Sequence, residues 1–457
     1  MTGVSFTRNN GSGIGLPTRE ELFVNGERVP LVAAKVQDSF AGRMPISSDG
    51  SDNRSLFFWY WPSSAKHGST DLTIWLNGGP GCSSLIGLLT ENGPFTFRPG
   101  TPAPSVNRYA WSTVSDVLYV DQPIGTGFSS GTPTTTTESD VANEFYEFLK
   151  NFYTVFPEIL QKRLFIAGES YAGMYIPYIA HRIVTAKAKE RAAFPINLQS
   201  VLIGDGTLAS LALTQAAPLA DYVIARQMAL GLNQSVVRSI QAVATKCDWR
   251  TLMADVVYPP KGPISFDEAT VPDVCFDIWD QAVDAAFDAN PCFNLYRITD
   301  KCPTPDDPIS AYFSRADVQE ILHVPAFGPW KSCGAQVFVN GSDTSAFSYL
   351  LLPMLTELLP RGMALWHGLD DFLYLANGTR LVIQNLTWGG HQGFQRPITQ
   401  EIILDGHSLG LQHSERGLTY YEVANTGHMI PADQPKLALE AFKTLLGRGS
   451  LIHTNRV

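Results

Sequence analysis

Short apolar runs recur along the chain at Leu56–Tyr60, Leu72–Leu76, Val117–Val120, Leu164–Ala167, Leu198–Gly204, Met363–His367 and Leu418–Val423. Each is nearly continuous in hydrophobic character, the pattern of a strand covered on both faces. Between several of them the apolar positions change to helical spacing, as at Asp140–Phe152, Met174–Ala186 and Lys436–Leu446. This alternation predicts an α/β fold: a mostly parallel central sheet covered by helices, with the working loops at the carboxyl ends of the strands.

The rhythm breaks between Thr207 and Thr304. That span holds four cysteines, the breaker Tyr258-Pro259-Pro260-Lys261-Gly262-Pro263 and a helix-like run, Ile278–Phe287. It reads as an insertion that caps the working end of the sheet. The expected organisation is a mobile polar N-terminus over 1–15, a first part of the core over 16–206, the cap over 207–304 and a second part of the core over 305–457.

Composition narrows the class of protein. A chain of 457 residues with 44% hydrophobic and 17% charged residues can bury a large core and is not disordered. The net charge of -10 gives no basic footprint for nucleic acid. No apolar run reaches the length of about 18 residues that a membrane span needs. Six cysteines stand at Cys82, Cys247, Cys275, Cys292, Cys302 and Cys333, without Cys-x-x-Cys spacing or a nearby histidine pair. They read as disulfides rather than a metal site. The four cap cysteines allow three pairings; the nested one, Cys247 with Cys302 and Cys275 with Cys292, is the expectation. Glycosylation acceptors occur at Asn10, Asn53, Asn233, Asn340, Asn377 and Asn385. With paired cysteines they point to a secretory history, secreted or vacuolar, although Met1–Gly15 shows no signal-peptide pattern.

The chemistry begins at Gly168-Glu169-Ser170-Tyr171-Ala172-Gly173, which joins a strand-like run to a helix-like one. A tight turn of this kind lifts a serine oxygen clear of the sheet, although the fifth position is Ala172 where the general motif has glycine. An acid and a histidine should follow in that order, each just past a strand. Asp370 or Asp371 supplies the acid, and spacing does not choose between them. His428, in Asn425-Thr426-Gly427-His428-Met429-Ile430-Pro431, supplies the base.

Four blocks together carry a family resemblance: Trp75-Leu76-Asn77-Gly78-Gly79-Pro80-Gly81-Cys82-Ser83-Ser84, Asp121-Gln122-Pro123-Ile124-Gly125-Thr126-Gly127-Phe128-Ser129, Gly168–Gly173 and Gly427–Pro431. With weaker matches at Asn92-Gly93-Pro94 and Ser314–Gln319, they run in order from about Phe40 to about Leu446. The chain resembles the serine carboxypeptidases of the α/β-hydrolase superfamily, most of all the secreted fungal acid enzymes. The resemblance implies a triad of Ser170, Asp371 and His428, and it is this that selects Asp371 over Asp370. It implies an oxyanion hole from the backbone N–H groups of Gly79 and Tyr171. It implies a clamp for the substrate's terminal carboxylate built from Asn77, Gly78, Glu91 and Glu169, and a long disulfide joining Cys82 to Cys333.

Two glutamates facing a carboxylate work only while they hold protons, so crowding should raise their pKa values and favour acidic pH. The implied activity is release of C-terminal amino acids from peptides or proteins through an acyl-enzyme on Ser170. The alternative is an acyltransferase or esterase using the same triad. No cofactor or metal is implied, and monomer and homodimer are equally open. The chain departs from the family pattern at Gly368-Leu369-Asp370-Asp371, where relatives commonly read Gly-Asp-x-Asp. It departs again at Gly204-Asp205-Gly206, where many have asparagine at the centre. Trp366, Phe372, Tyr374 and Trp388 suggest either an apolar acyl-side pocket or core packing.

Overall fold

The computed structural model describes residues 15–47, 51–98, 100–302, 308–334, 336–449 and 451. All but the last residue of the predicted N-terminal segment, and with it Asn10, lies outside the described residues. Eleven strands form one sheet: β1 (Phe23–Val24), β2 (Ser39–Pro45), β3 (Ser55–Trp61), β4 (Asp71–Leu76), β5 (Asp116–Asp121), β6 (Arg163–Glu169), β7 (Asn197–Gly204), β8 (Met363–Gly368), β9 (Gln400–Leu404), β10 (His407–Glu415) and β11 (Leu418–Val423). Their spatial order is β1-β2-β3-β5-β4-β6-β7-β8-β11-β10-β9. The centre, from β5 through β11, is parallel. Antiparallel strands extend it at both edges.

The strand β3 shows why continuous apolar runs form the middle of this sheet. Leu56, Phe58 and Tyr60 point into one core with helices Glu138–Val155 and Ala172–Val184. Phe57, Trp59 and Trp61 point into a second core that includes the helix Pro435–Leu445. Side chains alternate with period two, so a strand buried on both faces must be apolar at every position. The seven predicted runs are all strands. The edge strands β9 and β10 escape the pattern because they are partly exposed and carry mixed polar residues.

Helix starts follow local chemistry. Thr137 accepts from the Asp140 backbone N–H while the Asp140 carboxylate accepts from the Thr137 N–H, a reciprocal cap that opens Glu138–Val155.

Helices Leu219–Leu230, Gln234–Lys246, Trp249–Ala254 and Ile278–Ala289 share an apolar cluster of their own, which also takes in Phe372, Leu375 and Leu381. Trp279 Nε1 donates to the carbonyl of Phe372 at 2.9 Å, tying this cluster to the loop after β8. The cysteines pair as Cys82–Cys333, Cys247–Cys275 and Cys292–Cys302. The nested expectation for the four cap cysteines is therefore wrong; the pairing is sequential. Cys247 ends the helix Gln234–Lys246, and Cys275 is held beside it because Trp249 Nε1 donates to the Cys275 carbonyl at 3.1 Å. Cys292 and Cys302 close the short loop that follows Ile278–Ala289.

Of the glycosylation acceptors, Asn53, Asn233, Asn340 and Asn385 are exposed and Asn377 is half-buried. The amide nitrogen of Asn385 donates to the Ile264 carbonyl at 3.2 Å. No helix among the described residues is long and apolar enough to cross a membrane.

Candidate active site

Ser170 sits between β6 and the helix Ala172–Val184 with φ of 60°, a left-handed conformation uncommon for a residue with a side chain. The backbone around it enforces that turn. Ser170 N–H donates to the Gly204 carbonyl at 2.9 Å, and its own carbonyl accepts from Gly173 N–H at 2.8 Å and Thr207 N–H at 3.0 Å. A Cβ on Gly168 would lie 2.1 Å from the Leu76 carbonyl oxygen, so the turn can close only with glycine there. Ala172, at the motif's fifth position, is the first residue of that helix.

The glycine loop after β4 lies directly against this turn. A Cβ on Gly78 would be 2.3 Å from the Tyr171 backbone nitrogen and 2.7 Å from Ser170 Cβ. Gly79 has φ of 116°, which L side chains rarely adopt. The loop is anchored by Cys82 N–H donating to the Gly78 carbonyl at 3.0 Å and by the disulfide to Cys333.

His428 follows β11, and its backbone N–H donates to the carbonyl of Tyr296 at 2.7 Å. Its ring nitrogen Nδ1 donates to Asp371 Oδ2 at 2.8 Å, while Nε2 is buried without a hydrogen-bond partner in the protein. Asp371 is fully buried, and its Oδ1 accepts from the backbone N–H groups of Leu373 at 2.8 Å and Tyr374 at 3.4 Å. Asp370 turns the other way: it pairs with Arg226 at 3.3 Å and accepts from Thr299 Oγ1 at 3.2 Å. Thr207 links the two arms. Its N–H holds the Ser170 carbonyl, and its hydroxyl donates to the Tyr374 hydroxyl at 2.7 Å, with the Tyr374 ring 5.9 Å from that of His428.

On the other side of Ser170, Asn77, Glu91 and Glu169 are all buried. Asn77 Oδ1 accepts from Trp75 Nε1 at 2.8 Å and from Gly87 N–H at 3.1 Å. Those two donors fix the amide, so its Nδ2 faces Glu169 and donates to Oε1 at 2.9 Å. The second Glu169 oxygen and both Glu91 oxygens are buried without partners. Burial pushes the Glu91 carboxyl up to about 8. Burial, followed by the charge of Glu91, raises Glu169 well above the usual carboxylate range.

Every predicted triad and clamp residue thus falls at one end of the sheet. Of the four candidate pocket aromatics, Trp366, Phe372 and Trp388 are core residues, and only Tyr374 borders His428. Sequence reasoning overlooked Tyr296, whose carbonyl holds His428 from the cap, and Asp433, which accepts from Gly427 N–H at 2.7 Å. It also gave no role to Asp205. One carboxylate oxygen each of Asp205 and Asp371 and a ring nitrogen of His428 lie within 4.8 Å of one another, the one cluster of metal-ligating type among the described residues. Asp371 Oδ2 is engaged by His428 and Asp205 Oδ1 by Gly368 N–H at 2.8 Å, while Asp205 Oδ2 and His428 Nε2 receive no hydrogen bond.

A parallel-centred sheet with a serine on the β6–helix turn, an acid after β8 and a histidine after β11 defines an α/β-hydrolase. Residues 37–448 match the serine carboxypeptidase family, and the chain belongs to it. It is 36% identical to a probable serine carboxypeptidase of Arthroderma benhamiae, over 93% of this chain and 86% of the relative. It is 34% identical to serine-type carboxypeptidase F of Aspergillus niger, over 95% and 90%. Among solved structures it resembles the prohormone-processing carboxypeptidase Kex1(delta)p of Saccharomyces cerevisiae, with a TM-score of 0.77, 27% identity and coverage of 94% of this chain and 97% of that one.

Proposed function

We propose that this enzyme removes C-terminal amino acids from peptides and proteins at acidic pH through an acyl-enzyme on Ser170. Ser170 Oγ attacks the last peptide carbonyl while His428 Nε2 takes the hydroxyl proton. Asp371 holds the imidazole by its Nδ1–H and stabilises the charged ring that forms. The backbone N–H groups of Gly79 and Tyr171 receive the oxyanion. His428 then returns the proton to the departing amine, the C–N bond breaks, and water repeats the sequence on the ester.

The observation that carries the exopeptidase reading is the buried Asn77–Glu169 pair with Glu91 beside it. Protonated glutamates and the Asn77 amide, with the Gly78 N–H, can donate hydrogen bonds to a terminal carboxylate. Ionised, they would repel it. An ester hydrolase or acyltransferase has less use for such an arrangement.

The span 207–304 acts in this reading as a cap shaping access to Ser170. Three disulfides and exposed acceptors such as Asn53, Asn233 and Asn340 support a passage through the secretory pathway and glycosylation there. The test is hydrolysis of N-blocked dipeptides with a free carboxylate across acidic to neutral pH, with Ser170→Ala alongside. Release of the terminal residue in acid, lost in the variant, supports the reading. Silence on these peptides, with Ser170 still labelled by a phosphonofluoridate, replaces it with an acyl-transfer or esterase function.

A further inference from the structure

We propose that Asp205 is a positioning residue that holds a proton and donates it in a hydrogen bond to Asp371, and that losing this proton disarms the triad. The proposal rests on the triad reading above and adds a second source of acid dependence, independent of the substrate carboxylate.

Asp205 follows β7 at a strained φ of 44°, and its side chain is completely buried. Its N–H donates to the Trp366 carbonyl at 3.0 Å, which fixes the residue against β8. Its Oδ1 accepts from Gly368 N–H, and its Oδ2 is buried and receives no donor, which leaves it free to carry a proton toward Asp371. Asp371, close by, accepts from three donors: Leu373 N–H, Tyr374 N–H and His428 Nδ1. Two neighbouring carboxyls in a dry site cannot both ionise. The one with more donors keeps the charge, which is Asp371, and the other keeps the proton, which is Asp205. Burial first, then the charge of Asp371, raises the Asp205 carboxyl well above its ordinary range.

The surrounding groups do not offset this. His367 on β8 brings Nε2 within 3.4 Å of Asp205 Oδ1 and 3.8 Å of Asp371 Oδ2. Burial lowers its proton affinity, however, and its nitrogens are engaged with the Tyr374 carbonyl at 2.8 Å and Thr379 Oγ1 at 3.0 Å. Glu169 at the end of β6 and Tyr420 on β11 also face Asp205, and either one, if ionised, would add negative charge. His428, after β11, is the remaining neighbour, and Asp371 already occupies its Nδ1.

With its proton, Asp205 can hold Asp371 opposite His428 without adding charge. Once Asp205 ionises, the second negative charge repels Asp371 and breaks its alignment with His428 Nδ1, so the ring is no longer held with Nε2 turned to Ser170. Activity should therefore fall as pH rises, even on substrates with no free carboxylate.

The experiment uses the full chain, an N-blocked amino acid ester lacking a free carboxylate, and the rate of phosphonofluoridate labelling of Ser170, both across pH. Asp205→Asn keeps the acceptor for Gly368 and replaces the O–H with an N–H that never ionises. Its upper pH limb for kcat and for labelling should move up by about one pH unit or more, with KM unchanged. Asp205→Ala should lower kcat at every pH. An upper limb identical in wild type and Asp205→Asn overturns the proposal. Absence of labelling in wild type at every pH sinks the triad reading itself, a result distinct from an unmoved limb. If Asp205→Asn does not fold, Asp205→Ser, which keeps an O–H that does not ionise in this range, takes its place: an upper limb moved up supports the proposal, and one identical to wild type overturns it.

Discussion

Asn77 Nδ2 donates to Glu169 Oε1 at 2.9 Å, and the amide is locked in that orientation by the Trp75 indole and the Gly87 backbone behind it. One residue thereby couples the loop after β4 to the residue immediately before Ser170. Whatever positions Asn77 also positions the end of the cleft where a terminal carboxylate would bind.

Gly87→Ala tests that coupling. A Cβ there would lie 2.1 Å from Trp75 Nε1 and 2.8 Å from Asn77 Oδ1, so the indole and the amide must both shift. The variant should raise KM for peptides with a free carboxylate by about tenfold, one misplaced hydrogen bond's worth, and leave ester KM nearly unchanged. Steady-state kinetics on matched peptide and ester substrates measure this; equal effects on both would contradict the coupling.

Glu91 and Glu169 should set the pH dependence of substrate affinity. Their pKa values are raised, so the proton-bearing forms persist through acid and are lost as pH climbs, near 8 for Glu91. KM for peptide acids should therefore rise with pH, and the rise should flatten in Glu91→Gln with Glu169→Gln. An unchanged KM profile in the double variant would remove these carboxyls from the clamp.

The same shift predicts a stability effect. A carboxyl whose pKa is raised by folding contributes most below its unfolded value and loses that contribution as pH rises through its folded value. Thermal unfolding midpoints of wild type should fall between mildly acidic pH and about pH 8. The fall should shrink in Glu91→Gln, as scanning calorimetry would report.

Asp371 and Asp370 should differ sharply although they are adjacent. Asp371→Asn keeps its oxygen on the Leu373 and Tyr374 N–H groups and turns its NH2 to His428 Nδ1, which holds the ring in the wrong tautomer and should reduce kcat by about ten-thousandfold. Asp370→Asn affects only the pairing with Arg226 and Thr299 and should cost less than about tenfold. Similar losses in both would mean that the histidine's partner is misassigned.

The cap disulfides are checkable directly. Non-reducing peptide mapping should recover Cys247 linked to Cys275 and Cys292 linked to Cys302. Replacing Cys292 and Cys302 together by serine should cost about 2–3 kcal/mol of stability, the scale for closing a loop this short.

The seven central strands were legible because burial on both faces forces unbroken apolar runs. The Ser170 turn was legible because its glycines leave a fixed spacing, as seen in Gly168 against Leu76. Order along the chain was enough to nominate His428, and family resemblance to nominate Asn77, Glu91 and Glu169. What the sequence could not supply was direction. Asp370 and Asp371 are indistinguishable in a string, and only the fold turns one toward His428 and the other toward Arg226. The cap pairing depended on which helix end lies beside which turn, so the nested guess failed. Asp205 read as a single altered letter until β7 and β8 brought it beside Asp371. Local pattern records what a residue must be buried in or turn through, because those demands act on neighbours along the chain. Which charges meet, and which of them must keep a proton, depends on distances between strands far apart in sequence, and packing alone sets those.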